Sequence, residues 1–179
     1  MGFALNPCRV GLIVALLSAV CSFGRTAPLA GAEYALKAAF IYNFAMFTTW
    51  AEKSDKTLIL CIFGRDPFGP AIDVLEGKEI GNAKLSIRRL RSGGEASQAC
   101  QIAYISEAEV DNYLDHVGAL RDGSGVLTIS EKEGSARQGI IIELTSEDKK
   151  IGFEFNREAA RLNNVQISSK LLRIARKVY

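Results

Sequence analysis

Residues 57–64, "TLILCIFG", form an unbroken apolar run closed by Ser54-Asp55 on one side and by Gly64 on the other. A run this short suits a strand, and one without polar alternation must be covered on both faces. Helices are then needed above and below it, so the run alone points to a layered fold around a central sheet. Residues 102–105 ("IAYI"), 126–129 ("VLTI") and 139–144 ("GIIIEL") repeat the signal. Residues 84–90 ("KLSIRRL") alternate apolar with polar positions and read as a less buried edge strand. The polar turn "TSEDKK" at 145–150 makes 151–155 ("IGFEF") the antiparallel partner of the strand before it.

Helical patterns fill the intervals. The first covers 34–52, and a second covers 68–76 between Pro67 and the terminating Gly77. A third starts from the capping-box pair Ser106 and Glu109 and runs to about residue 120; two more cover 157–162 and 169–177. Alternating strand and helix with right-handed crossovers predicts parallel strands. The expected fold is a three-layer α/β/α domain with a mixed, mainly parallel sheet and a late antiparallel hairpin.

The amino terminus reads as a secretory signal, residues 1–32. Arg9 ends a polar start, Val10 to Val20 is an eleven-residue apolar run, and Ala30-Gly31-Ala32 has the small-x-small cleavage pattern. Eleven residues fall short of the roughly 20 that a membrane-spanning helix needs. The mature domain is expected to be 33–179, a length that suits one core, exported from the cytoplasm. The signal segment holds Arg9 and Arg25 and no acid, so the mature chain keeps 20 basic residues against 20 acidic ones. That balance lacks the basic footprint of a phosphate-backbone binder and excludes nucleic acid as a main partner.

Cleavage also removes Cys8 and Cys21 and leaves Cys61 and Cys100 in an oxidising compartment. An even pair there reads as a disulfide; two free buried thiols are the alternative. Two cysteines and the single His116 are too few for a metal site.

Catalytic constellations and cofactor motifs are missing. His116 has no sequence-adjacent nucleophile, and "GRDPFG" lacks both the Lys-Ser/Thr of a phosphate loop and the spacing of a dinucleotide fingerprint. Glu107, Glu109 and Asp111 fall in the first turns of a helix, where acids face the positive end of the dipole. Ser168 and Lys170 offer no dyad; Ser168 is expected to cap the last helix with Lys170 solvated.

Four stretches in order, "KAAFIYNFAMFTTW", "CIFGRDPFG", "LEGKEIGNAKLSIRRL" and "FEFNREAARLNNVQISSKLLRIARKV", together resemble the YfiR family of bacterial periplasmic regulators. The resemblance implies a non-enzymatic repressor. It would bind the periplasmic part of an inner-membrane diguanylate cyclase, lower cyclic di-GMP, and be sequestered in turn by an outer-membrane lipoprotein. The best-known family member carries two disulfides, whereas this chain keeps residues for one.

In that setting Phe40, Asn43, Phe47 and Trp50 of the first helix fall on one broad face, and with Asn156, Ser168 and Lys170 from the tail they form the candidate interface. Lys37 and Asn43 exclude a membrane span for that helix. Its excess of apolar circumference also predicts a homodimer. The competing reading is a periplasmic small-ligand binding protein that uses a crevice near Gly64–Asp66 and Ser106. Mass determination on protein recovered from the periplasm should give a chain starting at Glu33 or within a few residues of it. A species that retains residues 1–32 would overturn the secretory reading.

Overall fold

The computed structural model describes residues 28–50, 56–91, 100–117, 125–148 and 150–179. The secretory reading of residues 1–27 lies outside them. In chain order the elements are α1 (Pro28–Met46), β1 (Thr48–Trp50), β2 (Thr57–Phe63), α2 (Pro70–Asp73), β3 (Glu79–Ile80), β4 (Ala83–Leu90) and β5 (Ile102–Ile105). A 3-10 turn at Glu107–Glu109 leads into α3 (Val110–Val117), followed by β6 (Leu127–Ser130), α4 (Ser135–Gln138), β7 (Ile142–Glu147) and β8 (Lys150–Phe155). The chain closes with α5 (Arg157–Leu162), β9 (Val165–Ile167), α6 (Ser169–Leu172) and β10 (Lys177–Val178). The expected cleavage point after Ala32 therefore falls inside the amino-terminal part of α1.

Eight strands form one sheet in the order β10-β8-β7-β6-β5-β2-β4-β3, and β1 pairs with β9 in a separate antiparallel ribbon. Within the large sheet β3–β4 and β7–β8 are antiparallel and the other pairings are parallel. The α/β class with a mixed, mainly parallel sheet and a late hairpin is thus what the chain forms.

The period-2 alternation of strand side chains divides the core in two. Leu58, Leu60 and Ile62 of β2, Ile102 and Tyr104 of β5, Leu127 and Ile129 of β6, and Phe153 and Phe155 of β8 join one cluster with Ala38, Ile41, Phe44 and Ala45 of α1. Cys61 and Phe63 of β2 and Ala103 and Ile105 of β5 join the other, with Val110 and Tyr113 of α3. Helices therefore cover both faces of the sheet. Cys61 and Cys100 are bonded within the second cluster, their Cα atoms 5.8 Å apart, and tie β2 to the start of β5.

Several boundaries differ from the sequence reading. The first helix ends at Met46 rather than 52: Thr48 Oγ1 donates to the Phe44 carbonyl at 2.6 Å, and the β-branched Thr48-Thr49 pair continues into a strand held by β9. Trp50 consequently leaves the helix. The last helix stops at Leu172, because the open edge of β8 captures the tail through Arg176 N to Phe153 O and Tyr179 N to Phe155 O, both 2.8 Å. Gly152 permits this strap, since a Cβ there would lie 2.1 Å from Arg176 Nε.

The helix expected over 68–76 shortens to Pro70–Asp73. The strand expected from 139 begins at Ile142, because residues 135–138 form α4 and Gly139, at φ 121°, ends it. β4 is not outermost, yet β3 pairs with it only at Glu79 and Ile80, so its carboxyl-terminal half keeps an edge. Ser106 occupies the cap position before the 3-10 turn, but its side chain makes no capping bond. The extension of that helix past Val117 lies outside the described residues.

Closing a 39-residue separation restricts the unfolded chain by about 4 kcal/mol in the entropic account. Thiol titration of the denatured, unreduced protein should find no free thiol from Cys61 or Cys100. Replacing both by Ala should lower unfolding free energy by about 2–4 kcal/mol.

Candidate functional site

Two regions carry unsatisfied or exposed chemistry, and α1 borders both. The first is a crevice at the carboxyl ends of β2 and β5. From β2 the chain crosses to β4 on one side, and from β4 it returns to β5 on the other, so the two strands flank the point where connections change direction. Open α/β sheets leave a cleft at that point. Here the cleft has a cavity volume of about 530 Å³, and its lining includes Tyr34, Arg65, Asp66, Tyr104, Ser106, Glu107 and Glu131.

Its floor is a buried polar network. Glu131, just after β6, accepts hydrogen bonds from Lys37 Nζ and from Tyr104 Oη, and Lys37 also pairs with Glu33 at 2.7 Å. Lys37 is only 4% exposed. Burial opposes its charge, but the hydrogen bonds it donates to Glu131 and Glu33 prevail and raise its pKa above the usual lysine value. Burial, and then the Glu131 carboxylate, hold the Tyr104 hydroxyl well above the normal phenol range. Tyr34 is raised for the same two reasons.

On the adjoining wall Asp66 accepts from the amides of Phe68 (2.7 Å) and Gly69 (3.2 Å) and from Arg89 Nε (2.7 Å). Gly64, at φ 81°, lets Ser106 fold over it: a Cβ at Gly64 would stand 2.4 Å from Ser106 Oγ.

The second region gathers part of the expected interface. The β1–β9 ribbon sets Thr48 opposite Ile167 and Trp50 opposite Val165, and Ser168 N donates to the Phe47 carbonyl at 2.9 Å. Asn43, Phe47, Trp50, Ser168 and Lys170 are thereby drawn to one end of the molecule. Asn43 and Lys170 are exposed, Trp50 is half-buried, and Leu36 (47%) and Met46 (47%) on α1 and Phe47 (40%) just after it expose large apolar side chains. Ser168 caps α6 by accepting from Lys170 N.

Phe40 does not share the face of Phe47. It packs on Phe44 and Phe153, at ring separations of 5.9 and 6.5 Å, because residues 40 and 44 form one i,i+4 stripe and residues 43 and 47 its neighbour. Asn156 stands apart, capping α5 through Ala159 N (2.7 Å) and donating to the Ala136 carbonyl (2.6 Å). His116 is exposed, with Nδ1 2.8 Å from the Asn112 carbonyl. Among the described residues no group of three or more His, Cys, Asp or Glu is arranged to hold a metal, and no helix is long and apolar enough to cross a membrane.

Sequence reasoning missed the Lys37–Glu131–Tyr104 network. A lysine inside an otherwise apolar helix was the available signal, but its partner lies 94 residues away.

Residues 34–176 match the YfiR/HmsC-like family, and the chain belongs to that family. No curated protein matches the chain. Membership places it with periplasmic regulators of diguanylate cyclase signalling rather than with enzymes.

Two variants separate core from surface on α1. Phe44→Ala should cost about 3–5 kcal/mol in chemical denaturation, because Phe44 is fully buried 5.0 Å from Phe153, whereas Phe47→Ala should stay within about 0.5 kcal/mol. Lys37→Met should cost about 3 kcal/mol by leaving Glu131 without its cation. Because the folded pKa of Lys37 is raised, its contribution is complete below the unfolded lysine value of about 10.4 and is lost as pH rises through the folded value. The wild type should therefore lose stability at strongly alkaline pH, and Lys37→Met should lose less there.

Proposed function

We propose that the protein is a secreted, non-enzymatic repressor that binds the periplasmic domain of an inner-membrane diguanylate cyclase and lowers cyclic di-GMP. The family match over nearly all of the expected mature chain, 33–179, carries this reading. The exposed apolar end of α1, with Asn43, Phe47 and Trp50 beside Ser168 and Lys170, is the surface assigned to the partner. Phe40 and Asn156 are left out of it, because one packs inward and the other caps a helix.

Repression of this kind needs no chemistry from the repressor. Binding that prefers the inactive cyclase by about 3 kcal/mol shifts its active-to-inactive ratio on the order of 100-fold. An outer-membrane lipoprotein competing for the same surface would relieve it. The same apolar end supports a homodimer. Cys61 and Cys100 are buried, so their bridge acts as a staple for the domain rather than as a redox switch.

Deleting the gene should raise cyclic di-GMP, and expression without the signal segment should fail to restore the low level. Phe47→Glu should also fail to restore it while folding normally, and a pull-down from membrane extract should lose the cyclase with that variant. An unchanged cyclic di-GMP level in the deletion strain, where the protein is shown to be made, would overturn the reading. Sedimentation at micromolar concentration should show a dimer that Phe47→Glu weakens.

A further inference from the structure

We infer that the carboxyl-terminal half of β4 is a docking edge for an extended acidic peptide, which adds to the large sheet as one more strand. The parity of the β2–β4 ladder shows which backbone groups are free for it. Lys84 N donates to Lys56 O and Gly64 N to Leu90 O, both at 2.9 Å, so even-numbered residues of β4 bond to β2 and odd-numbered ones point away from it. Leu85 is satisfied on that outer side: its N donates to Lys78 O and its O accepts from Gly77 N, both at 2.8 Å. Ile87 N is satisfied by the Glu76 side chain, 2.7 Å from Oε2. There the cover stops. Ile87 O, Arg89 N and Arg89 O have no partner among the described residues, and a row of unpaired backbone groups is what a sheet edge offers to another chain.

The side chains along this edge select the partner. Arg88, Arg89 and Arg91 are all exposed. Arg89 is engaged by Asp66 and Asp73, whereas Arg88 and Arg91 stand outside every ion pair among the described residues. Leu85 and Ile87 pack on the core under α1 and Leu90 on the core under α3, so Arg88 projects on the face opposite Ile87. An added strand meets an uncompensated cation on one face and the half-buried Ile87 on the other, which fits alternating acidic and apolar side chains.

Two copies of this edge would set the same three arginines against each other, and like charges across a strand pair are destabilising, so the occupant is not a second β4. A small anion could meet Arg88 and Arg91 but would leave the acceptor, donor and acceptor of Ile87 and Arg89 unused; a peptide backbone answers all three with its own groups. The open stretch from Ile87 to Arg91 spans about 13 Å, room for about five peptide residues.

The test is fluorescence anisotropy of the purified protein with three labelled hexapeptides: Glu-Val-Glu-Thr-Glu-Val, its counterpart with Lys for Glu, and the acidic peptide with every amide N-methylated. Saturable binding of the first alone is expected. Arg88→Glu and Arg91→Glu should each weaken it by about tenfold or more. Neither side chain has an ion pair to lose, so thermal unfolding of both variants should match the wild type. Phe47→Glu should leave peptide binding unchanged. In amide hydrogen exchange the Arg89 N–H should slow by about tenfold or more in the complex. Equal binding of the basic peptide would overturn the acidic class. Binding that survives methylation, or that leaves Arg89 exchange unchanged, would overturn strand addition. Binding retained by both arginine variants, or lost in Phe47→Glu, would overturn the placement, and no binding would overturn the inference. Repression is read separately from cyclic di-GMP in the deletion strain, so either reading can fail while the other stands.

Discussion

The fold depends on β2 being buried on both faces at once. Leu58, Leu60 and Ile62 face the cluster under α1, while Cys61 and Phe63 face the cluster under α3. The strand is also the only one of the described set that pairs along its length with β4 on one side and joins β5 on the other. Because it lies between β4 and β5 in the parallel order, the chain leaves it in one direction and comes back past it in the other. That reversal opens the crevice, and the Cys61–Cys100 bridge fixes the two strands that border it.

Layering and strand content were legible because they follow from composition within short windows. The run at 57–64 and "IAYI" at 102–105 have no polar alternation to mislead a reader, and both became buried strands. Boundaries failed where tertiary pairing outweighed local preference. Residues 47–52 continue an apolar helical pattern, yet β9, more than a hundred residues away, recruits Thr48–Trp50 into a ribbon. The tail 169–177 looks helical until the unpaired edge of β8 offers its carbonyls to Arg176 and Tyr179.

The candidate site was legible in part for the same reason. A rule about strand carboxyl ends was enough to place a crevice near Gly64–Asp66 and Ser106, since it requires only topology. Ser106 itself was misread: the capping-box spacing to Glu109 is present, but the serine hydroxyl turns toward Gly64 instead of the helix amides. On α1, spacing alone could not say which of two adjacent stripes faces the sheet. Phe44 against Phe153 settles that Phe40 goes inward and Phe47 outward.

One helix therefore serves two regions at its two ends. Tyr34 lines the crevice and Lys37 bonds Glu131 of its lining, while Asn43 and Met46, with Phe47 just past the helix end, form the exposed end, about 15 Å further along a helix rising 1.5 Å per residue. Lys37 and Phe44 anchor that helix to the sheet through Glu131 and Phe153, so losing either anchor disturbs both regions together. Functional effects at these two positions consequently carry no information about which region acts. Phe47 and Asn43 at one end, and Ser106 and Arg65 at the other, do carry it, because each can change without removing a contact that holds α1 in place.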